Sequence, residues 1–250
     1  MIFATALLVP AVGVSATRYV DGTASADTIR LGQVWVSADS SYHWYSCING
    51  TWIDEGSWSS SDVVLVYAYG GDDIIEMQTA TGYYSCGGTS KYLHVVDRGG
   101  CPSLIRTYLS TGADEFYGSN CGDEAYGGAG DDYLDGWVGS DVILGEAGND
   151  VILGYSGQDW LEGGDNDDTI DGEGDADVVD GQGGSRDILY GGDGNDCVRD
   201  QADGYTTCDC GNGAADMEEC TGATSNCEYA GCLSLRFRDD GTLESSPCQR

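Results

Sequence analysis

The sequence predicts an all-β solenoid, a stack of short strands joined by tight turns, and three observations predict it. From Gly118 to Asp200 one nine-residue unit recurs: GSNCGDEAY, GGAGDDYLD, GWVGSDVIL, GEAGNDVIL, GYSGQDWLE, GGDNDDTID, GEGDADVVD, then, after one inserted residue, a unit ending SRDILY, and finally GGDGNDCVR. The sixth position of every unit is Asp and the eighth is apolar. Glycine supplies 40 of the 250 residues, more than twice its ordinary share of about 7%, as a chain made largely of turns requires.

Each part of the unit has a physical reason. Three residues such as Val142-Ile143-Leu144 form a short strand whose middle side chain faces one way and whose flanks face the other. The middle positions are Phe116, Ala125, Leu134, Ile143, Ile152, Leu161, Ile170, Val179, Leu189 and Val198. Stacked, they make a narrow apolar column that no single repeat could bury alone. The other six residues form the turn, where Gly permits positive φ and close backbone approach. Asn166 and Asp175 replace Gly at the fourth position, and Asn and Asp visit that region most readily among other residues. Ser185 at the fourth position of its unit is a poorer replacement and predicts a distorted turn.

Gly at the first and fourth positions, Asp at the sixth and a hydrophobe at the eighth resembles the G-G-x-G-x-D-x-U-x repeat of RTX, hemolysin-type calcium-binding proteins. The resemblance covers about a third of the chain. It implies a right-handed parallel β-roll in which two units make one coil, so that turns two units apart lie above one another. One edge then carries Asp114, Asp132, Asp150, Asp168 and Asp187, and the opposite edge Asp123, Asp141, Asp159, Asp177 and Asp196. Coils stand roughly 4.8 Å apart, so unshielded carboxylates would repel. A hard cation such as Ca²⁺, which accepts six to eight oxygen ligands, removes that repulsion. The expected cofactor is therefore several Ca²⁺ ions, with turn carbonyls from Gly127, Gly130, Gly136, Gly139, Gly145, Gly148, Gly154 and Gly157 completing the ligand sets. The competing reading of an Asp-rich stretch is a solvated acidic face, but acidity alone would not hold Asp to one phase and hydrophobes to another.

Four regions are expected along the chain. Residues 1–16 read as an export signal: Ile2 to Val14 is mostly apolar and Val14-Ser15-Ala16 supplies small residues before Thr17, although Met1-Ile2-Phe3 carries no basic residue. Residues 17–108 hold degenerate copies of the repeat, GTASADTIR from Gly22 and YAYGGDDII from Tyr67, out of phase with the main array. Aromatic insertions, Tyr42-His43-Trp44-Tyr45 and Gly50-Thr51-Trp52, interrupt them. We expect an irregular β-solenoid there, with a separate β-sandwich as the alternative. Residues 109–200 are the regular β-roll. Residues 201–250 hold six of the 11 cysteines and are expected to form a disulfide-stabilised cap over an otherwise open solenoid end. Within them Cys210-Gly211-Asn212-Gly213 and Glu218-Glu219-Cys220 are similar to a Cys-rich repeat of secreted bacterial proteins. Cys208-Asp209-Cys210 is weak evidence for zinc.

The composition narrows the function classes. A formal charge of −33 argues against nucleic acid, which needs clustered Lys and Arg. No segment after the signal is long and apolar enough for a membrane span. Catalytic signatures are missing: His43 and His94 are isolated, so H-E-x-x-H is absent, and Gly154-Tyr155-Ser156-Gly157-Gln158 lacks the last Gly of a hydrolase elbow. No catalytic residue and no organic cofactor site is assigned. The expected function is a secreted, calcium-stabilised structural or adhesive module, with cell-surface or matrix components as candidate partners. The alternative is a secreted polysaccharide hydrolase with its site in residues 30–108, favoured by a cleft lined by two carboxylates and several of Trp35, Trp44, Trp52 and Trp58.

Overall fold

The computed structural model describes residues 17–36, 41–57, 63–77, 82–86, 89–93, 101, 104–200, 205–213, 217–220, 223–225 and 229–230. Every regular element among them is a β-strand. The export-signal residues and most of the cysteine-rich tail lie outside the described residues.

Two parallel sheets face each other, and the chain alternates between them at every turn. The first stacks Thr17–Asp21, Val63–Tyr67, Leu104–Thr111, Asp123–Ala129, Val142–Ala147, Trp160–Asp165, Val178–Gln182, Cys197–Asp200, Met217–Cys220 and Tyr229–Ala230. The second runs through Thr28–Val36, Ile74–Met77, Glu115–Tyr117, Tyr133–Asp135, Val151–Leu153, Thr169–Asp171, Ile188–Tyr190, Thr207–Asp209 and Ala223–Ser225. Ser41–Ile48 and Thr51–Ser57 extend its first strand as an antiparallel meander. A second hairpin, Gly82–Cys86 with Thr89–Leu93, forms its own small sheet. The protein is an all-β parallel β-solenoid.

The core lies where the period placed it. All ten middle residues, from Phe116 to Val198, are fully buried. Ile29 and Ile75 stack above Phe116 in the second sheet, and Val20, Val66 and Thr107 above Ala125 in the first. The out-of-phase copies of residues 17–108 thus join the same column. The inserted segments leave the stack as hairpins and return in register.

Three features go beyond the sequence reading or against it. The flanks of the first sheet do not all face water: Val142, Trp160, Val178 and Cys197 form a second buried cluster on its outer side. Arg199 caps that cluster, its guanidinium 5.5 Å from the Trp160 ring centroid. The inserted residue before Asp187 also sits elsewhere than the repeat count placed it. Gly184, not Ser185, takes the positive φ of the fourth position at 140°, so the extra residue lies between positions four and six. Beyond Asp200 the strands Thr207–Asp209 and Met217–Cys220 continue both sheets in register, so the described part of this region adds further coils.

Cysteines staple the stack. Cys208 occupies the inward column beneath Leu189 and is bonded to Cys220; Cys101 is bonded to Cys121. Cys47, Cys197 and Cys210 are also in disulfides. With Cys208 and Cys210 both oxidised, the Cys208-Asp209-Cys210 sequence offers no thiolate pair to zinc.

Candidate metal centre

The sixth-position aspartates form two ladders, one on each edge of the solenoid, and all ten are at most 3% exposed. Within a ladder each backbone N–H donates to one carboxylate oxygen of the next aspartate. On one edge Asp114 donates to Asp132, Asp132 to Asp150, Asp150 to Asp168 and Asp168 to Asp187, at 2.8 to 2.9 Å. On the other the series runs Asp123, Asp141, Asp159, Asp177, Asp196 over the same distances. The steps of 19 residues at Asp168–Asp187 and Asp177–Asp196 keep this bond, so both ladders absorb the insertion.

The second oxygen of each carboxylate decides the chemistry. Oδ2 of Asp114, Asp132, Asp141, Asp150, Asp159, Asp168, Asp177 and Asp187, and Oδ1 of Asp123, are buried without a hydrogen-bond partner among the described residues. A buried carboxylate oxygen left this way is costly unless a cation meets it. Burial first, and neighbouring ladder carboxylates after it, push Asp132 to about 7, Asp168 to about 8 and Asp177 to about 10, and burial with the charge of Asp175 pushes Asp159 to about 7. The N–H bond from the adjacent coil works in the opposite direction.

The glycines explain the space beside each orphan oxygen. A Cβ on Gly127 would stand 2.5 Å from Asp132 Oδ2 and 2.7 Å from the Gly145 carbonyl oxygen. At Gly154 the same point is 2.6 Å from Asp159 Oδ2 and 2.9 Å from Gly172 O, and at Gly172 it is 2.6 Å from Asp177 Oδ2 and 2.5 Å from Gly191 O. Gly136 and Gly145 likewise face Asp141 and Asp150. First-position glycines therefore leave a small gap on which a carboxylate and a carbonyl oxygen converge. Fourth-position Gly130, Gly139, Gly148 and Gly157 have φ between 143° and 153° and press against carbonyls of the preceding coil. Asn166 and Asp175 hold φ of 82° and 79° there. This donor set, oxygen only, suits a hard divalent cation and not a soft one. Among the described residues no three His, Cys, Asp or Glu side chains form one metal group, so a cation here would complete its shell largely from turn carbonyls.

Family comparison agrees with this geometry. Residues 117–152, 153–186 and 183–199 match the model of the RTX calcium-binding nonapeptide repeat. Residues 117–199 are RTX repeats. No curated protein and no solved structure matches the chain.

The structure adds ladder members outside the RTX match. The Asp73 N–H donates to Asp114 Oδ1 and the Asp27 N–H to Asp73 Oδ1, both at 2.6 Å. Asp73 is fully buried, and its Oδ2 has no hydrogen-bond partner among the described residues. Sequence reasoning noticed the local GTASADTI and YGGDDII strings but not that Asp27 and Asp73 continue one edge, because 46 and 41 residues separate successive members. Asp27 ends the series: Thr23 and Asn49 engage both its oxygens. The other edge stops at Asp123, since buried Ile105 and Val64 occupy the next two positions.

Asp171, at the ninth position, is half-buried and accepts the Glu173 N–H at 3.1 Å. Asp180 and Asp209 hold Gln182 and Gly211 the same way. These bonds fix the second residue of the next turn, where Glu173 and Gln182 adopt φ of 65° and 63°.

Of the tryptophans invoked for a hydrolase cleft, Trp52 is half-buried, and the side chains of Trp35, Trp44 and Trp58 lie outside the described residues.

Proposed function

We propose that this protein is a secreted calcium-binding protein whose solenoid, stabilised by several Ca²⁺ ions, serves outside the cell as a structural or adhesive module. The carrying observation is the row of buried, unpartnered carboxylate oxygens repeated in register on both edges. Asp114, Asp132, Asp150, Asp168 and Asp187 on one edge, with Asp73 above them, and Asp123, Asp141, Asp159, Asp177 and Asp196 on the other, would hold the ions together with carbonyls of the first- and fourth-position glycines. Bound Ca²⁺ supplies positive charge that offsets ladder repulsion. The chain's own residues do the rest: the N–H bonds set carboxylate spacing, the glycines leave room, and the apolar column excludes water.

Secretion is supported by the apolar, small-residue segment at 1–16 and by oxidised cysteines, since disulfides persist in oxidising compartments. The regions proposed from sequence remain: 17–108 irregular, 109–200 regular, 201–250 the stapled cap. A module of this kind presents a long, repetitive, charged surface and needs no catalytic group.

The test is circular dichroism of the full chain with calcium and after chelation, with bound calcium counted by elemental analysis. Loss of β signal on chelation and several ions per chain are expected. An unchanged spectrum with less than one ion bound defeats the reading.

A further inference from the structure

Four tyrosine rings form one continuous stack on the outer side of the first sheet. Register carries the ninth-position column from Tyr67 through Tyr108 to Tyr126, one residue per coil. Coils stand roughly 4.8 Å apart. The ring centroids follow that spacing, at 5.0 Å for Tyr67–Tyr108 and 5.0 Å for Tyr108–Tyr126, with interplanar angles of 10° and 16°. Tyr69 lays its ring on Tyr67 from the adjoining turn, at 6.1 Å and 24°. Beyond Tyr126 the column passes to Leu144 and Glu162, and the stack ends. On the second sheet the ring pairs are tilted instead: Tyr117 and Tyr133 meet at 46°, Trp137 and Tyr155 at 53°.

Two properties distinguish this stack from core packing. Its rings are reachable: Tyr69 is 49% exposed, and Tyr67, Tyr108 and Tyr126 are half-buried rather than closed into the column of Phe116 to Val198. Both end hydroxyls also meet a carboxylate. Tyr69 donates to Asp21 Oδ1 at 3.2 Å, and Tyr126 donates to Glu124 Oε2 at 3.4 Å. Arg106 pairs with Glu124 and holds that carboxylate in place. Burial first, and the facing carboxylate after it, keep both hydroxyls above the ordinary phenol value, so both are protonated at neutral pH. A phenol gives up an electron far more readily when its proton leaves at the same time, and a carboxylate already bonded to the hydroxyl is placed to take that proton.

We propose that Tyr67, Tyr108 and Tyr126 are a site of oxidative modification, at which a haem peroxidase with hydrogen peroxide joins rings of adjacent coils by a carbon–carbon bond. Two neighbouring phenols each give up one electron and the hydroxyl proton. Hydrogen peroxide takes both electrons and both protons and leaves as two waters. The two phenoxyl radicals pair their electrons in a bond between carbons ortho to the hydroxyls, and the hydrogens of those carbons move to the oxygens, restoring both phenols. Exposed Tyr69 is the point of entry, and the rings behind it pass the electron outward. Near-parallel rings one coil apart bring the ortho carbons within a small side-chain rotation of each other, so coupling is intramolecular and outruns collision between chains. The bond ties two coils that lie outside the RTX match to the first coil within it, the junction that Cys101–Cys121 also spans. Unlike the carboxylate ladders, it holds without a cation.

The test treats the full chain, saturated with calcium and checked for β structure by circular dichroism, with a plant haem peroxidase and limiting hydrogen peroxide. Dityrosine fluorescence is expected in the monomer fraction, with a mass loss of two hydrogens per link. Tandem mass spectrometry of the digest should place the links at Tyr67–Tyr108 and Tyr108–Tyr126. Tyr108→Phe keeps the ring and the stack but removes the central hydroxyl, and should lower the intramolecular yield about fivefold or more. Tyr126→Phe should remove the Tyr108–Tyr126 link alone, and Tyr69→Phe should slow coupling without moving it. Tyr205 is 86% exposed and stacks on no ring among the described residues, so Tyr205→Phe should change the yield less than about twofold. If Tyr108→Phe fails to fold, Tyr126→Phe and Tyr69→Phe carry the decision. Links formed only between chains, links at Tyr19 or Tyr205 in place of the stack, an unchanged yield in the folded Tyr108→Phe variant, or an equal yield from the urea-unfolded chain overturns the proposal.

Discussion

Replacing Asp150 by Asn should change the sign of its effect on stability with calcium. Asp150 Oδ1 accepts the Asp132 N–H at 2.8 Å, and its Oδ2 is buried and unpartnered. Asn keeps an acceptor for Asp132 but removes the charge. Burial pushes the Asp150 carboxyl up to about 6, so ionising it at pH 7.5 in the folded, metal-free chain costs roughly 3 kcal/mol relative to the unfolded chain. Without calcium, Asp150→Asn should therefore stabilise, by roughly 1–3 kcal/mol after losses in packing and polarity. With calcium, the proposed sites above and below would each lose this ligand. Each ion contributes about 2.7 kcal/mol at a hundredfold excess over its Kd, so losing two costs roughly 5 kcal/mol. Asp150→Ala adds a buried, unsatisfied Asp132 N–H, about 1–3 kcal/mol more, in either condition. Urea unfolding followed by circular dichroism, with calcium and with chelator plus an osmolyte to keep the folded state populated, measures all four values. An Asn variant that shifts stability by the same sign and size in both conditions would refute the ladder as a cation site.

Other expectations follow from the same geometry. Asp132, Asp150, Asp159, Asp168 and Asp177 have folded pKa values above their unfolded ones, so the metal-free fold is destabilised as pH rises through the unfolded range near 4 toward Asp177 at about 10. Acidification should thus stabilise the metal-free form while weakening calcium, and calorimetry near pH 7 in buffers of different ionisation enthalpy should show protons released as calcium binds. Asp171→Ala should cost about 0.5–1.5 kcal/mol with or without calcium, because it frees the Glu173 N–H and touches no ladder oxygen; a calcium-dependent cost would contradict that role. Glu146→Gly should stabilise by up to about 1 kcal/mol in thermal unfolding, since Glu146 holds a φ of 75° that Gly adopts without strain. Reducing the chain should lower the unfolding midpoint and speed proteolysis after Asp200, because Cys208–Cys220 closes the core column; its loss should cost roughly 2–4 kcal/mol, and equal protease resistance before and after reduction would exclude that role.

The sequence by itself determined the phase of this protein. A nine-residue period with Asp at the sixth position and a hydrophobe at the eighth suffices to give the inward column from Phe116 to Val198 and both ladders from Asp114 to Asp196. Turn and strand requirements within one unit are local, so they are written in one unit. What lay beyond one unit was not legible. Asp27 and Asp73 join a ladder only because the hairpin insertions leave the stack and return in register. The opposite edge ends because Ile105 and Val64 happen to stack above Asp123. The burial of Val142, Trp160, Val178 and Cys197 on an outward face and the pairing of Cys208 with Cys220 depend on which coils are neighbours. Residue type fixes what a side chain can do at its own position; only the stacking of coils brings residues 18 to 46 positions apart close enough for their charges and surfaces to act on one another.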